Sequence, residues 1–508
     1  MNVSQSSQLA RAVVIGSGFG GLAAAVRLGA KGYRVTVLER LDAPGGRAYV
    51  FKQDGFTFDA GPTIVTAPFL FEELWRLCGR SLADDVEIVP CDPFYRIRFD
   101  DGETFEYTGN AAAMRKEVQR IAPDDVAGYE RFLAYSAEVY RVGFGQLVHK
   151  PFHTVASMIG VVPDLLRLKA YRSVYGLVSS YVKSEKLRQV LSFHPLLVGG
   201  DPTRTSAIYS LIAHLEREHG VHFAMGGTGR LVHGLVDLIE GQGGQVRCDA
   251  TVRRILVDNG RATGVELESG ERIAAEIVVS NADSAHTYLD MLPDRRKRRW
   301  GAGKIERTAS SMGLFVWYFG TRKRWPDQPH HMILLGPRYR ELLHDIFRSK
   351  HLAEDFSLYL HRPTATDSSL APEGCDAFYV LSPVPHLEGD VDWAQFGDRY
   401  RSAIEQALDA TVLPGLAESV VTSRIMTPLD FRDRLLSYRG AGFGFEPRLL
   451  QSAWFRPHNK SEEIDGLYLV GAGTHPGAGL PGVLSSAKVV ETLAPAAGHF
   501  ATSSVSFG

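Results

Sequence analysis

A glycine-rich turn between a short strand and a helix is the feature that most constrains this chain. The apolar, β-branched residues 12–15 predict a buried strand, which leads into Gly16-Ser17-Gly18-Phe19-Gly20-Gly21. Residues 22–29, rich in Ala and Leu, predict a helix, and residues 34–38 predict a second strand that ends at Glu39. This order of elements indicates a parallel α/β fold with a dinucleotide site at its first turn.

Each glycine of the motif has a physical role in such a site. Gly16 allows the tight turn, Gly18 lets the backbone approach a pyrophosphate, and Gly21 lets the helix pack close to the strand. The helix N-terminus favours the anion, because its amide groups are free and its dipole is positive there. Glu39 can accept hydrogen bonds from ribose hydroxyls, and its charge would repel the 2′-phosphate of NADP.

A second glycine pair favours FAD over NAD as the expected cofactor. Gly45-Gly46-Arg47 follows Glu39 by six residues. This continuation resembles the flavoprotein superfamily of amine oxidases and desaturases, in which it supports the extended FAD. NAD sites lack it.

Longer motifs narrow the resemblance from this superfamily to one family within it. Residues 45–48 and 55–63 are similar to the N-terminal signature of the bacterial and fungal type of phytoene desaturase, and residues 467–483 with 485–488 are similar to that family's C-terminal flavin motif. Residues 194–200 and 451–459 fit the same family. The resemblance therefore covers nearly the whole chain.

The resemblance implies an α/β fold with three parts. A discontinuous Rossmann-like FAD-binding domain would comprise residues 1–80, 221–290 and 455–500. A mixed-sheet substrate domain would comprise residues 81–120 and 291–454, and residues 121–220 would form a helical, membrane-associating cap.

The motifs and the resemblance together predict a set of FAD-binding residues. They are Gly16, Gly18, Phe19, Gly20, Gly21, Glu39, Arg40, Gly46, Arg47, Thr63, Val252, Asn281, Gly473, Thr474, Pro481, Gly482 and Val483. No catalytic residue is assigned. Asp59 and His475 are marked by their motif positions only.

By resemblance, the activity is an FAD-dependent carotenoid desaturation. Phytoene would be converted by successive dehydrogenations to neurosporene or lycopene. Since no amino-acid side chain accepts hydride, the hydride would pass to the flavin, and oxygen or a quinone would reoxidise it. The number of steps, the acceptor and the oligomeric state stay open.

Three alternatives use the same fold. One is another carotenoid-modifying flavoprotein, such as a hydroxyneurosporene or diapophytoene desaturase, an isomerase or an oxidase. The second is an amine oxidase, although residues 477–482 hold none of the aromatic residues that form its cage over the flavin. The third is a prenyl-binding chaperone that has lost the flavin.

The segments expected on the substrate side are apolar. Residues 129–140, 163–182 and 206–218 predict long helices, and residues 312–319 predict an aromatic strand that lies in a sheet core or lines a tunnel. Basic residues interleave the apolar run 151–182, which fits either core helices or a surface that dips into lipid. No apolar run reaches the length that spans a bilayer, so any contact with a membrane would be from one side. The resemblance implies a peripheral protein, which we expect on the cytoplasmic side of the cell membrane.

Charge and cysteine usage exclude other classes. Lys and Arg number 56 against 58 Asp and Glu, so there is no overall attraction to nucleic acid. The basic run 295–299 is either a solvated face or a contact with anionic headgroups. Because the four cysteines form no CxxC pair, no metal site is predicted, and His330-His331 favours a polar loop.

Overall fold

The strands follow the short apolar segments of the sequence. This computed structural model describes residues 10–293 and 299–503. The strands are β1 (Arg11–Ile15), β2 (Arg34–Leu38), β3 (Val50–Gln53), β4 (Phe56–Asp59), β5 (Ile88–Pro90), β6 (Tyr95–Arg98), β7 (Thr104–Tyr107), β8 (His222–Ala224), β9 (Gln245–Arg247), β10 (Val252–Asp258), β11 (Arg261–Leu267), β12 (Arg272–Ala274), β13 (Ile277–Ser280), β14 (Gly313–Thr321), β15 (His331–Leu334), β16 (Leu358–His361), β17 (Asp376–Val384), β18 (Val420–Met426) and β19 (Leu467–Leu469).

The helices range from one turn to five. They are α1 (Phe19–Ala30), α2 (Pro68–Leu77), α3 (Ala111–Ile121), α4 (Val126–Val142), α5 (Val155–Ile159), α6 (Val162–Arg167), α7 (Val174–Val178), α8 (Glu185–Ser192), α9 (Leu211–His219), α10 (Thr228–Gly241), α11 (Ser284–Leu289), α12 (Ala302–Arg307), α13 (Tyr339–His344), α14 (Trp393–Thr411), α15 (Pro428–Asp433), α16 (Leu480–Leu493) and α17 (Gly498–Ser503). None of the helices in the described ranges is long and apolar enough to cross a membrane.

A parallel sheet joins three separated pieces of the chain. Its strand order is β19-β13-β1-β2-β9, and every neighbouring pair is parallel. Helices α1, α10 and α16 pack on one face in a shared apolar core. The three-stranded sheet β10-β11-β12 and helix α11 contribute to the core on the other face. Both faces are therefore covered, as the unbroken apolar character of β1 and β13 requires.

A mixed sheet of seven strands is the second large sheet of the structure. Its order is β18-β14-β17-β16-β15-β6-β7, and β15 pairs with β6 in parallel while the other pairs are antiparallel. Helix α14 packs on one face of it. The α/β fold with a mixed sheet that the sequence predicts is thus confirmed.

Two predicted elements are interrupted in the structure. The single helix predicted for residues 163–182 is wrong: α6 ends at Arg167, and a turn in which Lys169 has a φ of 51° separates it from α7. The sequence of residues 245–257 likewise predicts one strand, but the structure divides it into β9 and β10, and Asp249 between them has a φ of 51°. A left-handed residue ends a regular element, and apolar periodicity alone does not reveal it.

The start of α1 depends on a close approach between backbones. An ideal Cβ on Gly21 would lie 2.1 Å from the carbonyl oxygen of Gly16. No side chain fits in that space, so α1 can lie directly against the end of β1 only with glycine at position 21.

We expect Gly21→Ala to lower the free energy of unfolding by about 1–3 kcal/mol, because the added methyl group must displace backbone atoms. Gly241→Ala is the matched control, since its Cβ would meet no heavy atom within 4 Å at the end of α10. The control should be neutral or stabilising. Urea unfolding followed by circular dichroism measures both variants, and equal stability of the two would contradict the argument.

Candidate active site

One continuous cavity joins the glycine turn to the mixed sheet. At one end it is lined by Gly16, Gly18 and the start of α1, and at the other by residues of β14, β16 and β17. Segments between α4 and α6 and the start of α16 complete its wall. The cavity therefore has a polar end with two helix N-termini and a long apolar end.

Both helices begin at the cavity without a capping side chain. Gly18 is the N-cap of α1 and Gly479 is the N-cap of α16, and neither supplies a side-chain hydrogen bond to the first turn. Phe19 and Gly20 of α1, and Pro481, Gly482 and Val483 of α16, line the cavity. The exposed amides and the helix dipoles make each start a site for negative charge.

Two arginines add positive charge to the polar end. Arg47 donates from Nε to the Gly442 carbonyl at 2.9 Å and from Nη2 to Ser437 Oγ at 2.9 Å. Burial lowers the pKa of its guanidinium. Arg40 donates from Nη1 to the carbonyl oxygens of Asp433 and Arg434 at 2.6 and 2.8 Å. Because these acceptors are neutral, both cations keep charge available for an anion in the cavity.

Glu39 holds the glycine turn and faces the same cavity. Its Oε2 accepts from the Ser17 amide at 2.9 Å and from Ser17 Oγ at 2.6 Å, and its Oε1 accepts from the Leu41 amide at 3.0 Å. A carboxylate oxygen can accept more than one hydrogen bond, so lone pairs remain for ribose hydroxyls. Val252 at the start of β10 and Asn281 after β13 line the wall nearby.

The structure places fourteen of the seventeen predicted residues on the cavity wall. The exceptions are Gly21, Gly473 and Thr474. Thr474 is fully buried and donates to the Pro457 carbonyl at 2.6 Å, and a Cβ on Gly473 would lie only 2.0 Å from Ser284 Oγ. These residues shape the turns behind the wall.

The polar end fits FAD. A diphosphate must come close to the backbone with no side chain in between, and it needs positive charge nearby. The glycines at the start of α1 allow the close approach, and the two arginines supply the charge. Adenosine requires a ribose acceptor and an apolar wall, which Glu39 and Val252 provide. The start of α16 lies at a second part of the same cavity, where it would stabilise negative charge on a flavin ring.

The apolar end is built by one face of β14. Leu314 and Val316 line the cavity together with Met312, which directly precedes β14, whereas Phe315 and Trp317 point to the other face and pack against α14. Sheet-core and tunnel-wall interpretations therefore both hold, each for alternate residues.

Thr63 lies among tyrosines at the apolar end. Its Oγ1 forms hydrogen bonds with Tyr379 Oη at 2.7 Å and Tyr359 Oη at 3.4 Å, and all three residues line the cavity. Thr63 thus lies beside the expected substrate space as well as the cofactor space.

A buried acid in the apolar wall was missed by the sequence analysis. Glu216 is fully buried, lines the cavity, and accepts from Tyr95 Oη at 2.7 Å. Its other oxygen lies 3.2 Å from His194 Nε2. The sequence feature that could have revealed Glu216 is its position four residues after Ile212. This spacing places it on the same face of α9, which is apolar and lines the cavity.

The two residues marked by motif position have different surroundings. Asp59 is not among the residues that line the cavity; it ends β4, and its Oδ2 accepts from the Thr228 amide at 3.0 Å. His475 does line the cavity and stacks edge-on against Phe152. Burial lowers the pKa of His475 to about 4, so its imidazole is neutral at pH 7.

The interpretation of His330-His331 as a polar loop is wrong. Both residues are buried, and His331 is the first residue of β15. Cys91 lies beside them, so that one ligand atom of each residue falls within 4.8 Å of the others. Sequence spacing could not reveal this group, because strand pairing brings its members together. Of the basic run 295–299, residues 295–298 lie outside the described residues.

Comparison with known proteins gives consistent matches. Residues 19–490 match the family described as flavin containing amine oxidoreductase. The chain is 51% identical over 499 residues to a neurosporene-forming phytoene desaturase of Cereibacter sphaeroides, covering 97% of this chain and 96% of the relative. It is 49% identical over 481 residues to a lycopene-forming phytoene desaturase of Pantoea ananas, covering 94% and 98%. The solved structure of cyclohexylamine oxidase from Brevibacterium oxydans superimposes with a TM-score of 0.61 at 15% identity, covering 97% of this chain and 99% of that one, which shows a common fold.

Asp59 gives this region a measurable pH dependence. Burial raises the pKa of its carboxyl to about 6, against a usual value near 3.8. The contribution of Asp59 to the free energy of unfolding is therefore fully present below about pH 3.8 and is lost as the pH rises through 6. We expect the unfolding free energy of the wild type, minus that of Asp59→Asn, to fall by up to about 3 kcal/mol between pH 4 and 8. A pH series of urea titrations measures this difference, and a constant value would contradict the prediction.

Proposed function

This chain belongs to the flavin-containing amine oxidoreductases, and within them to the phytoene desaturases, and on that premise we propose that it dehydrogenates phytoene stepwise to neurosporene or lycopene. FAD is its cofactor. The observation that carries the substrate proposal is the single cavity, in which a polar dinucleotide end continues into a long apolar end. A hydrocarbon offers no polar groups to bind, so burial of apolar surface supplies its affinity.

Each dehydrogenation removes a hydride and a proton from adjacent carbons, which together are two protons and two electrons, and leaves a new carbon–carbon double bond. Bound FAD supplies the acceptor for the two electrons and one hydrogen. The remaining proton must pass to a group of the protein or to water. Because the wall beside the substrate space is mostly apolar, it disfavours water there, and a protein group is the better acceptor.

We assign that role to the pair Glu216 and His194. Glu216 is an acid in the cavity wall, and Tyr95 and His194 fix its two oxygens. A proton taken up by the pair can move between carboxylate and imidazole across the 3.2 Å contact. Tyr95 keeps its own proton and only orients the carboxylate.

The segment from α5 to Tyr171 is proposed as the membrane-binding surface. It holds five exposed large apolar side chains, namely Val155, Ile159, Val162, Leu166 and Tyr171. The opposite side of the same segment, at Met158, Val161 and Leu165, lines the cavity. Apolar side chains facing lipid on one side and the cavity on the other support a path for a hydrocarbon from the bilayer. Exposed Lys150 and Lys169 would lie at the headgroups.

We propose on this basis a peripheral protein, and we expect it on the cytoplasmic side of the cell membrane. Oxygen or a quinone would reoxidise the flavin, and a lipid-soluble quinone could reach it from the same bilayer.

The substrate proposal is tested by an anaerobic assay with FAD-loaded protein and phytoene in liposomes. We expect bleaching of the flavin absorption together with longer conjugated polyenes, which chromatography identifies. Addition of a quinone or of oxygen should restore the flavin spectrum and continue the reaction. Flavin reduction by another carotenoid or by an amine, with phytoene left unchanged, would overturn the proposal.

Glu216→Gln keeps the shape of the acid but removes its basicity. We expect kcat for phytoene to fall by about 10²–10⁴-fold, with KM and FAD content retained, because only the proton acceptor is lost. Glu218→Gln is the matched control, since that side chain is 58% exposed on the same helix. A Glu216→Gln variant with the kcat of the control would rule out this role.

The membrane surface is tested with the double variant Ile159→Asp, Leu166→Asp. We expect it to bind vesicles of phosphatidylglycerol and phosphatidylcholine at least tenfold more weakly, since burial of each side chain contributes about 1.5–3 kcal/mol. Val421→Asp on β18 is the control, with a similarly exposed apolar side chain outside this segment. Flotation through a density gradient measures binding, and equal flotation of both variants would contradict the assignment.

A further inference from the structure

Three buried residues with metal-binding side chains meet behind the apolar wall, and a fourth, His361, contacts one of them. Cys91 follows β5, His330 precedes β15, and His331 begins β15. His361 ends β16 and is the strand partner of His331. Their exposed fractions are 4%, 6%, 0% and 1%. The group lies outside the cavity that holds the flavin motifs, and the desaturation chemistry makes no use of it.

Each of the paired histidines is fixed through one ring nitrogen. His330 Nδ1 forms a hydrogen bond with Thr366 Oγ1 at 2.6 Å, and His331 Nδ1 forms one with Tyr359 Oη at 2.7 Å. Metal-binding histidines are held in this way, because a hydrogen bond at one nitrogen sets the ring orientation and the tautomer that leaves the other nitrogen free.

The other ring nitrogens lie in the interior of the group. His330 Nε2 lies 3.0 Å from Nε2 of His361, a separation that fits two ligands of one metal ion. His331 Nε2 is buried and has no hydrogen-bond partner among the described residues. A buried nitrogen without a partner is costly, and a metal ion would satisfy it.

Metal ions bind these side chains in their deprotonated forms, neutral imidazole and thiolate. A bound metal would displace the thiol proton to solvent and take the thiolate as a ligand.

We propose that Cys91, His330, His331 and His361 bind one Zn²⁺ in a closed tetrahedral site. A thiolate with imidazoles is a ligand set that favours Zn²⁺, and four protein ligands leave no open position for catalysis. The three atoms that now lie within 4.8 Å of one another would move to separations of about 3.5 Å around the ion.

The ion would join three parts of the chain that are distant in sequence. It would tie the segment after β5 to the paired strands β15 and β16. Tyr359 links the site to the cavity wall, because its hydroxyl contacts both His331 and Thr63. The ion would therefore stabilise the part of the cavity wall, at Tyr359, that lies beside the substrate space. Metal binding at this site is independent of the proposed function, because the metal content can be measured whatever the enzyme oxidises.

The test uses full-length, FAD-loaded protein expressed with zinc and passed over a chelating resin. Elemental analysis should find about one zinc per chain in the wild type and in the control Cys375→Ser, and little in Cys91→Ser or His331→Ala. A wild type with no more zinc than these two variants would overturn the proposal. FAD content and circular dichroism establish that each variant is folded.

Cobalt substitution in the wild type decides the matter if a variant does not fold. Co²⁺ bound to Cys91 should give a near-ultraviolet thiolate-to-cobalt band and the visible spectrum of tetrahedral cobalt. Absence of both from the wild type would overturn the proposal. Loss of the thiolate band in Cys375→Ser would place the metal elsewhere and overturn it as well.

Discussion

The molecule depends on a first turn of α1 that carries almost no side chains. A Cβ on Gly18 would lie 2.9 Å from Asn281 Nδ2, and one on Gly20 would lie 2.6 Å from Asn281 Oδ1 and 3.0 Å from the Cα of Gly471. The two partners follow β13 and β19, which are distant in sequence from β1. Three pieces of chain therefore converge at a single point only because glycine leaves room there. The parallel sheet, the polar end of the cavity and the position of α16 all follow from this convergence.

The charges of the cavity are arranged for a ligand that is itself charged at one end and apolar along the rest. Two uncapped helices and the half-buried Arg47 supply positive potential, and Glu39 supplies an acceptor that also stabilises the glycine turn through Ser17. Beyond them the wall is mainly aliphatic and aromatic, and its polar groups include Glu216 and Thr63 with the two tyrosines that contact it. This separation of polar and apolar ends lets one cavity hold FAD and a hydrocarbon side by side.

The cofactor end could be predicted from the sequence in detail because its constraints are local. The turn after β1, the acid after β2 and the start of α16 are each defined by neighbouring residues, and their predicted elements are found in the structure. The substrate end could not be predicted in the same way. Its helices are interrupted by left-handed residues such as Lys169, and Glu216 gains its role only through contacts with Tyr95 and His194. Cys91 and His331 are likewise brought together by the parallel pairing of β15 with β6 and not by spacing.

The alternation of side chains along β14 has a consequence for how such enzymes diverge. Leu314 and Val316 contact the cavity, while Phe315 and Trp317 stack against α14 and hold the sheet together. A substitution on the first face reshapes the space for the substrate and leaves the packing behind it unchanged. Selection can therefore adjust how far a polyene enters, and so where synthesis stops, at little expense in fold stability. Two relatives that are each about half identical to this chain, one neurosporene-forming and one lycopene-forming, are an outcome that such a two-sided strand permits.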